Sequence, residues 1–195
     1  MDFTLHDPDS APEASRPLLK DAERQFGMIP NLERVLAECP PLLRLYVTGE
    51  GELEDEEKMS LSKVELHVVM QQANVENNCV YCVPWHTILS KNAGVPDEVR
   101  EAQRNDRPLD DPRLETLRSF ARSLIHHRGR PPQPHVQAMR DAGYDNRQML
   151  EVVMCLAIKT VSNFTNGIAL TPLDEAPQQH AWTKPWTTGH DPKTV

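Results

Sequence analysis

Helix starts and stops punctuate this chain along most of its length, and no segment alternates apolar and polar residues between turn dipeptides as a surface strand would. Ser62-Lys-Val-Glu65 and Asp145-Asn-Arg-Gln148 fit the capping box, in which two side chains reciprocally satisfy the free N–H groups of a helix start. Asp111-Pro112 places an N-cap before a proline that a first turn tolerates, and Gly27, Gly94, Gly129 and Gly143 stand where helices should stop. Between these signals apolar residues recur every three or four positions, as in Leu114, Leu117, Phe120, Ala121 and Leu124. The most amphipathic stretch carries Met149, Val152, Val153, Leu156, Ala157, Val161 and Phe164. The pattern predicts an all-α fold of about eight or nine helices.

Three parts follow from this punctuation: an N-terminal arm over residues 1–15, a helical domain over 16–175, and an extended tail over 176–195 that carries Trp182 and Trp186. Short helices are expected over 17–26, 32–38 and 42–47. Six acids between Glu50 and Glu57 then read as a solvated hinge. With 195 residues the chain is long enough to bury a real core, and a net charge of -8 argues against nucleic acid or an anionic membrane as partner. The first residues have neither a basic start nor an apolar core, and no apolar run approaches the length of a membrane span, so a cytoplasmic protein is expected. Four cysteines are too few for a disulfide framework; in a reducing compartment a close pair points to redox chemistry or metal.

The chemistry concentrates in Glu76-Asn77-Asn78-Cys79-Val80-Tyr81-Cys82-Val83-Pro84-Trp85-His86. On a helix running from Cys79 to Ala93, Glu76, Cys79, Cys82 and His86 would share one face, and the two thiols would fall within disulfide reach. A thiol needs help to become a thiolate, from a helix N-terminus or from a base such as His86. Pro84 belongs in an opening turn, so either Cys82 lies at the true N-terminus or the helix is kinked there. Two other readings compete. The pair with His86 is also a zinc ligand set, with Cys39, Cys155, His126 or His127 as fourth partner, or it is inert core cysteine. Cys39 and Cys155, each alone among apolar residues, read as packing residues. Glu65 is explained by the capping box, and His67 reads as a hydrogen-bonded core histidine. His126 and His127, with Arg122, Arg128 and Arg130, read as a basic helix end.

These residues resemble the AhpD-like alkylhydroperoxidases within the carboxymuconolactone decarboxylase superfamily. The resemblance runs from Gly27-Met-Ile-Pro-Asn31 through Leu61-Ser-Lys-Val-Glu65, the Glu76 to His86 segment, Ala93-Gly94-Val95-Pro96 and Asp141-Ala-Gly143 to Glu151-Val-Val and Asn163-Phe-Thr-Asn166, about residues 25 to 175. It implies an AhpD-like helical bundle, a homo-oligomer such as a trimer or hexamer, and reduction of organic hydroperoxides by the cysteine pair without a cofactor or metal. It also implies regeneration by a dithiol reductant protein, lipoyl or thioredoxin-like. Cys79 and Cys82 match the redox pair and His86 the proton-relaying histidine. The relatives' acid, about a dozen residues before the first cysteine, is replaced here by His67, which leaves Glu76 as the expected relay acid. Cys82 is the expected attacking thiol. The alternatives are a thiol-disulfide oxidoreductase or redox sensor, and a zinc-binding helical interaction protein.

Overall fold

The computed structural model describes residues 3–185. Among them are nine α-helices and no strand: α1 (Arg16–Phe26), α2 (Asn31–Leu36), α3 (Pro40–Glu54), α4 (Lys63–Glu76), α5 (Cys82–Asn92), α6 (Asp97–Arg104), α7 (Pro112–His126), α8 (Gln133–Asp141) and α9 (Asn146–Ala169), with short 3-10 turns at Glu13–Ser15 and Gln178–His180. Both capping boxes form: Ser62 Oγ accepts from the Glu65 N–H and Asp145 from the Gln148 N–H, with reciprocal bonds from Glu65 and Gln148. Gly27, Gly94, Gly129 and Gly143 all adopt positive φ at helix ends, a conformation that costs glycine nothing.

The bundle is built around α4, buried from Glu65 to Val75, which packs on α7, α9 and α5. Leu66, Val69 and Met70 of α4 join Leu117, Phe120 and Ala121 of α7 and Val152, Cys155 and Ile158 of α9 in the main core. The acidic run differs from its expected role as a hinge. α3 continues through Gly49 and Gly51 to Glu54, because α9 presses against it at Gly49, where a Cβ would overlap the Ile158 side chain. Glu50 thereby stands on the inner wall of a packed helix rather than in a linker.

The amphipathic pattern of α9 also differs from its reading. Val152 is buried, but Val153 and Phe164 lie on the exposed side with Leu150 and Ile168, and Phe164 is 59% exposed. Facing inward instead are Lys159, Ser162, Asn163 and Asn166 beside Cys155 and Ile158. Cys155 is a packing residue, as expected, and burial pushes its thiol up; Cys39 is exposed at the start of α3, a correction to the same expectation.

Both terminal segments dock where they are described. The His6 N–H donates to the Arg34 carbonyl, and Ser15 Oγ donates to the Ala37 carbonyl. After α9, Asp174 accepts from the Asn31 N–H (3.1 Å), Trp85 Nε1 (3.0 Å) and the Tyr81 hydroxyl, and Trp182 Nε1 donates to the Arg104 carbonyl. Trp186 and the rest of the expected tail lie outside the described residues.

Candidate active site

Local backbone chemistry sets up the cysteine pair. α4 ends at Asn77, and Asn78 takes a left-handed conformation (φ 52°), which returns the Cys79 N–H to the Asn74 carbonyl at 2.9 Å. Asparagine enters that conformation more readily than other residues with a Cβ. Residues 79–81 make one turn and α5 begins at Cys82, so Pro84 sits in the first helical turn, where its missing N–H costs nothing. This is the first of the two alternatives the sequence left open, and it removes Cys79 from the helix proper. The two sulfurs nevertheless meet: Cys79 and Cys82 form a disulfide with their Cα atoms 5.2 Å apart. Cys79 Sγ accepts the Cys82 N–H at 3.1 Å, and the side-chain amides of Asn163 and Asn166 on α9 lie 3.1 and 3.3 Å from Cys82 Sγ. An N–H directed at a sulfur, as from Asn166, favours its thiolate once the disulfide opens.

Cys82 opens onto a narrow pocket of about 40 Å³ shared with His86, Lys159, Tyr46, Tyr81 and Trp85. Glu33, Tyr46, His86, Phe26 and Leu89 line both this pocket and a wider cleft of about 650 Å³ leading outward between α1, α3, α4 and α5. The cysteines themselves are 5% and 3% exposed, and Cys82 is reached through the narrow pocket that shares its walls with the cleft.

The residue that meets His86 is Lys159. Its Nζ lies 2.7 Å from His86 Nε2 and 3.9 Å from Glu50 Oε1, and the lysine is 1% exposed. With Lys159 as donor, Nε2 accepts, which puts the ring proton on Nδ1. His86 Nδ1 has no protein partner. Burial pushes the lysine down, opposed by the negative charges of Glu50 and Glu33; burial and the neighbouring Lys159 also hold His86 well below the ordinary histidine range.

Glu76, the expected relay acid, has another place. Its Oε1 accepts from Arg122 Nε (3.0 Å) and Gln72 Nε2 (2.6 Å), and its Oε2 meets His126 Nε2 (2.7 Å). On α4 it points to α7, occupied in a closed charge cluster, while His86 has Lys159 as its neighbour; this corrects the Glu76 assignment. The supposed basic helix end is therefore in part an ion-pair network, with Arg122 also meeting Asp106 at 3.3 Å. His67 departs from its expected core role: it lines the cleft, its ring centre 6.0 Å from that of His86, and its Nδ1 lacks a partner. Burial, assisted by Lys159 and Lys63, pushes His67 down to about 4. Glu65 is the capping residue, further held by Arg113 at 2.8 Å and the Tyr144 hydroxyl at 3.0 Å.

Lys159, Glu50 and Glu33 escaped the sequence reading. Spacing gave one signal for them: Lys159, Asn163 and Asn166 fall on one face of α9 at three- and four-residue intervals. Among the described residues, no group of three or more His, Cys, Asp or Glu side chains is arranged to hold a metal ion.

No family model and no curated protein matches the sequence. Solved structures do match. An uncharacterised peroxidase-related protein from Ralstonia eutropha JMP134, described as an alkylhydroperoxidase AhpD core, superposes with a TM-score of 0.77 at 18% identity, covering 91% of this chain and 95% of the other. The fold is that of the AhpD core. A peroxidase-related protein from Silicibacter sp. TM1040 shares the AhpD fold with a TM-score of 0.74 at 17% identity, over 90% of this chain and 92% of that one. So does the debrominase Bmp8, with a TM-score of 0.72 at 17% identity over 91% and 94%. A cysteine-to-alanine form of Bmp8 has been solved in complex with 2,3,4-tribromopyrrole. At these identities the likeness speaks for the AhpD fold.

Proposed function

We propose that the protein reduces organic hydroperoxides through Cys79 and Cys82. The observation that carries this reading is a bonded cysteine pair whose Cys82 lines the same small pocket as the His86–Lys159 contact. The Cys82 thiolate attacks the terminal oxygen of the hydroperoxide; an S–O bond forms, the O–O bond breaks, and an alkoxide leaves. His86 supplies the alkoxide's proton from Nδ1 and takes one at Nε2 from Lys159, whose charge Glu50 balances. The Cys79 thiol then attacks the Cys82 sulfenic acid, forming the disulfide and releasing water. One hydroperoxide and two thiols thus give one alcohol, one water and one disulfide, and a dithiol reopens the pair by exchange. Burial of both sulfurs supports a slender dithiol such as a lipoyl arm over a broad protein surface as reductant. The exposed apolar residues of α9, Leu150, Val153, Phe164 and Ile168, support a homo-oligomer.

Cumene hydroperoxide consumption with dihydrolipoamide tests the reading. Wild type turns over, and Cys82→Ser loses at least about 1,000-fold; equal rates in the two proteins contradict it. A second reading, reductive dehalogenation, is favoured by the structural likeness to Bmp8 and by a cleft wide enough for a small aromatic ring. In it an aryl bromide and two thiols give the arene, bromide, a proton and the disulfide. Bromide release from bromopyrroles, with no hydroperoxide turnover, would select it.

A further inference from the structure

The outer cleft is lined by more acids than bases, and some of their carboxyl oxygens have nothing to bind. Glu33 on α2 is 6% exposed, lines both the cleft and the cysteine pocket, and leaves its buried Oε2 without a partner. Glu50 on α3 leaves Oε1 without a hydrogen bond, its nearest cation, Lys159, standing 3.9 Å away and engaged with His86. Glu54 adds a third carboxyl on the wall. Lys63, which lines the cleft, is tied to Glu56 at 2.8 Å. A buried carboxyl oxygen with no partner is costly, and a ligand that donates to it recovers the loss. An apolar side chain from each flanking helix, Phe26 from α1 and Leu89 from α5, lines the same space.

We propose that this cleft binds organic molecules that carry a protonated amine on an apolar body, that Glu33 receives the ammonium with Glu50 adding charge, and that organic anions are excluded. The state of Glu33 agrees with an excess of acid: burial, with help from the nearby Glu50 and Asp174, pushes it up to about 8 against the opposing pull of its own backbone N–H and, less, of Lys159. An incoming ammonium is the partner that lets this carboxyl ionise. The inference names the substrate class for the cysteine chemistry proposed above, and its test is independent of turnover.

Three cumyl alcohols that differ only at the para position, bearing aminomethyl, methyl ester or carboxylate, are titrated calorimetrically into the full-length protein. The ammonium ligand binds at least about tenfold more tightly than the ester, and the carboxylate at least about tenfold more weakly. Glu33→Gln, nearly isosteric, closes the gap between ammonium and ester while ester affinity stays the same, which also reports that the variant is folded. Glu54→Gln, on the more exposed wall, narrows the gap about two- to threefold and serves if the first variant does not fold. The proposal is overturned if the carboxylate binds as well as the ester, if no member binds, if Glu33→Gln keeps the full gap, or if Glu54→Gln leaves it unaltered. The matching hydroperoxides separate the two claims. Ordered binding without peroxide turnover removes the peroxidase reading and keeps this one, and turnover without ordered binding does the reverse.

Discussion

Two clusters of buried charge flank α4, and they are finished differently. On one side, Glu76, Arg122, His126, Arg118, Glu115, Asp106 and Gln72 satisfy one another: Arg118, 4% exposed, donates to Glu115 at 2.8 Å and Gln72 at 3.0 Å and stands 3.5 Å from Asp106. On the other, His67, His86, Glu33 and Glu50 each leave an atom without a partner. His67 and Glu76 are nine residues apart, half a turn out of phase at 100° per residue, so one helix presents a closed network to α7 and an open one to the cleft. A closed network holds helices together. An open one holds unspent interactions for a ligand, and it is the open side that touches Cys82.

Substitutions should therefore fall into two classes. The largest effect belongs to the closed side: Arg118→Ala strands buried acids and costs about 3–5 kcal/mol in urea unfolding, while the folded fraction keeps its activity within about twofold. Comparable loss of specific activity would erase the distinction. On the open side, Lys159→Met lowers kcat about 100-fold and costs less stability than Arg118→Ala, because the one ion pair it breaks, with Glu50, is a loose one at 3.9 Å. A change of less than about threefold would remove Lys159 from the relay. Gly49→Ala, which forces Ile158 away from α3 and carries Glu50 with it, costs about 1–3 kcal/mol and slows turnover as well. Glu76→Gln is the mildest of the charge changes, with about 1 kcal/mol of stability lost and activity within about twofold; strong inactivation of a folded protein would return Glu76 to the site.

A pH experiment sharpens the same contrast. His67 is held down to about 4 by burial, below the 6.5 of an ordinary histidine, so the unfolded chain binds the extra proton first. Its contribution to stability is complete above about 6.5 and is lost as the pH falls through that value toward about 4. The urea midpoint of the wild type should accordingly drop more between about pH 7 and about pH 5 than that of His67→Gln. Equal drops would mean that His67 is not the buried neutral ring described here.

How much of this was legible in the chain differs between fold and site. Helix starts are local chemistry, and Ser62, Asp111 and Asp145 all cap as their neighbours dictate. At the cysteine turn Pro84 narrowed the start of α5 to two alternatives, and the structure takes the one that begins at Cys82 rather than at Cys79. Charged residues were not. Lys159 sits among apolar neighbours on a strongly periodic helix, where a lysine ordinarily faces water, yet the inward face of α9 is the polar one because it completes a site. Glu50 was hidden in an acidic run; only the packing of Ile158 on Gly49 turns that residue of the run inward. Glu76 was the acid left once His67 occupied the relatives' position, and its place on the face of Cys79 assumed an unbroken helical phase, whereas the chain turns at Asn78 and resets it.

The central claim is that Cys79 and Cys82 work as one two-electron unit, with Cys82 on the narrow pocket. Mixing fully reduced protein with one equivalent of cumene hydroperoxide and reading thiols, disulfide and alcohol by mass spectrometry tests it directly. The account predicts one cumyl alcohol per chain, loss of two thiols and a Cys79–Cys82 link, with Cys39 and Cys155 unchanged. Alcohol formed while both of those thiols survive, or oxidation that falls on Cys39 or Cys155 instead, would contradict it.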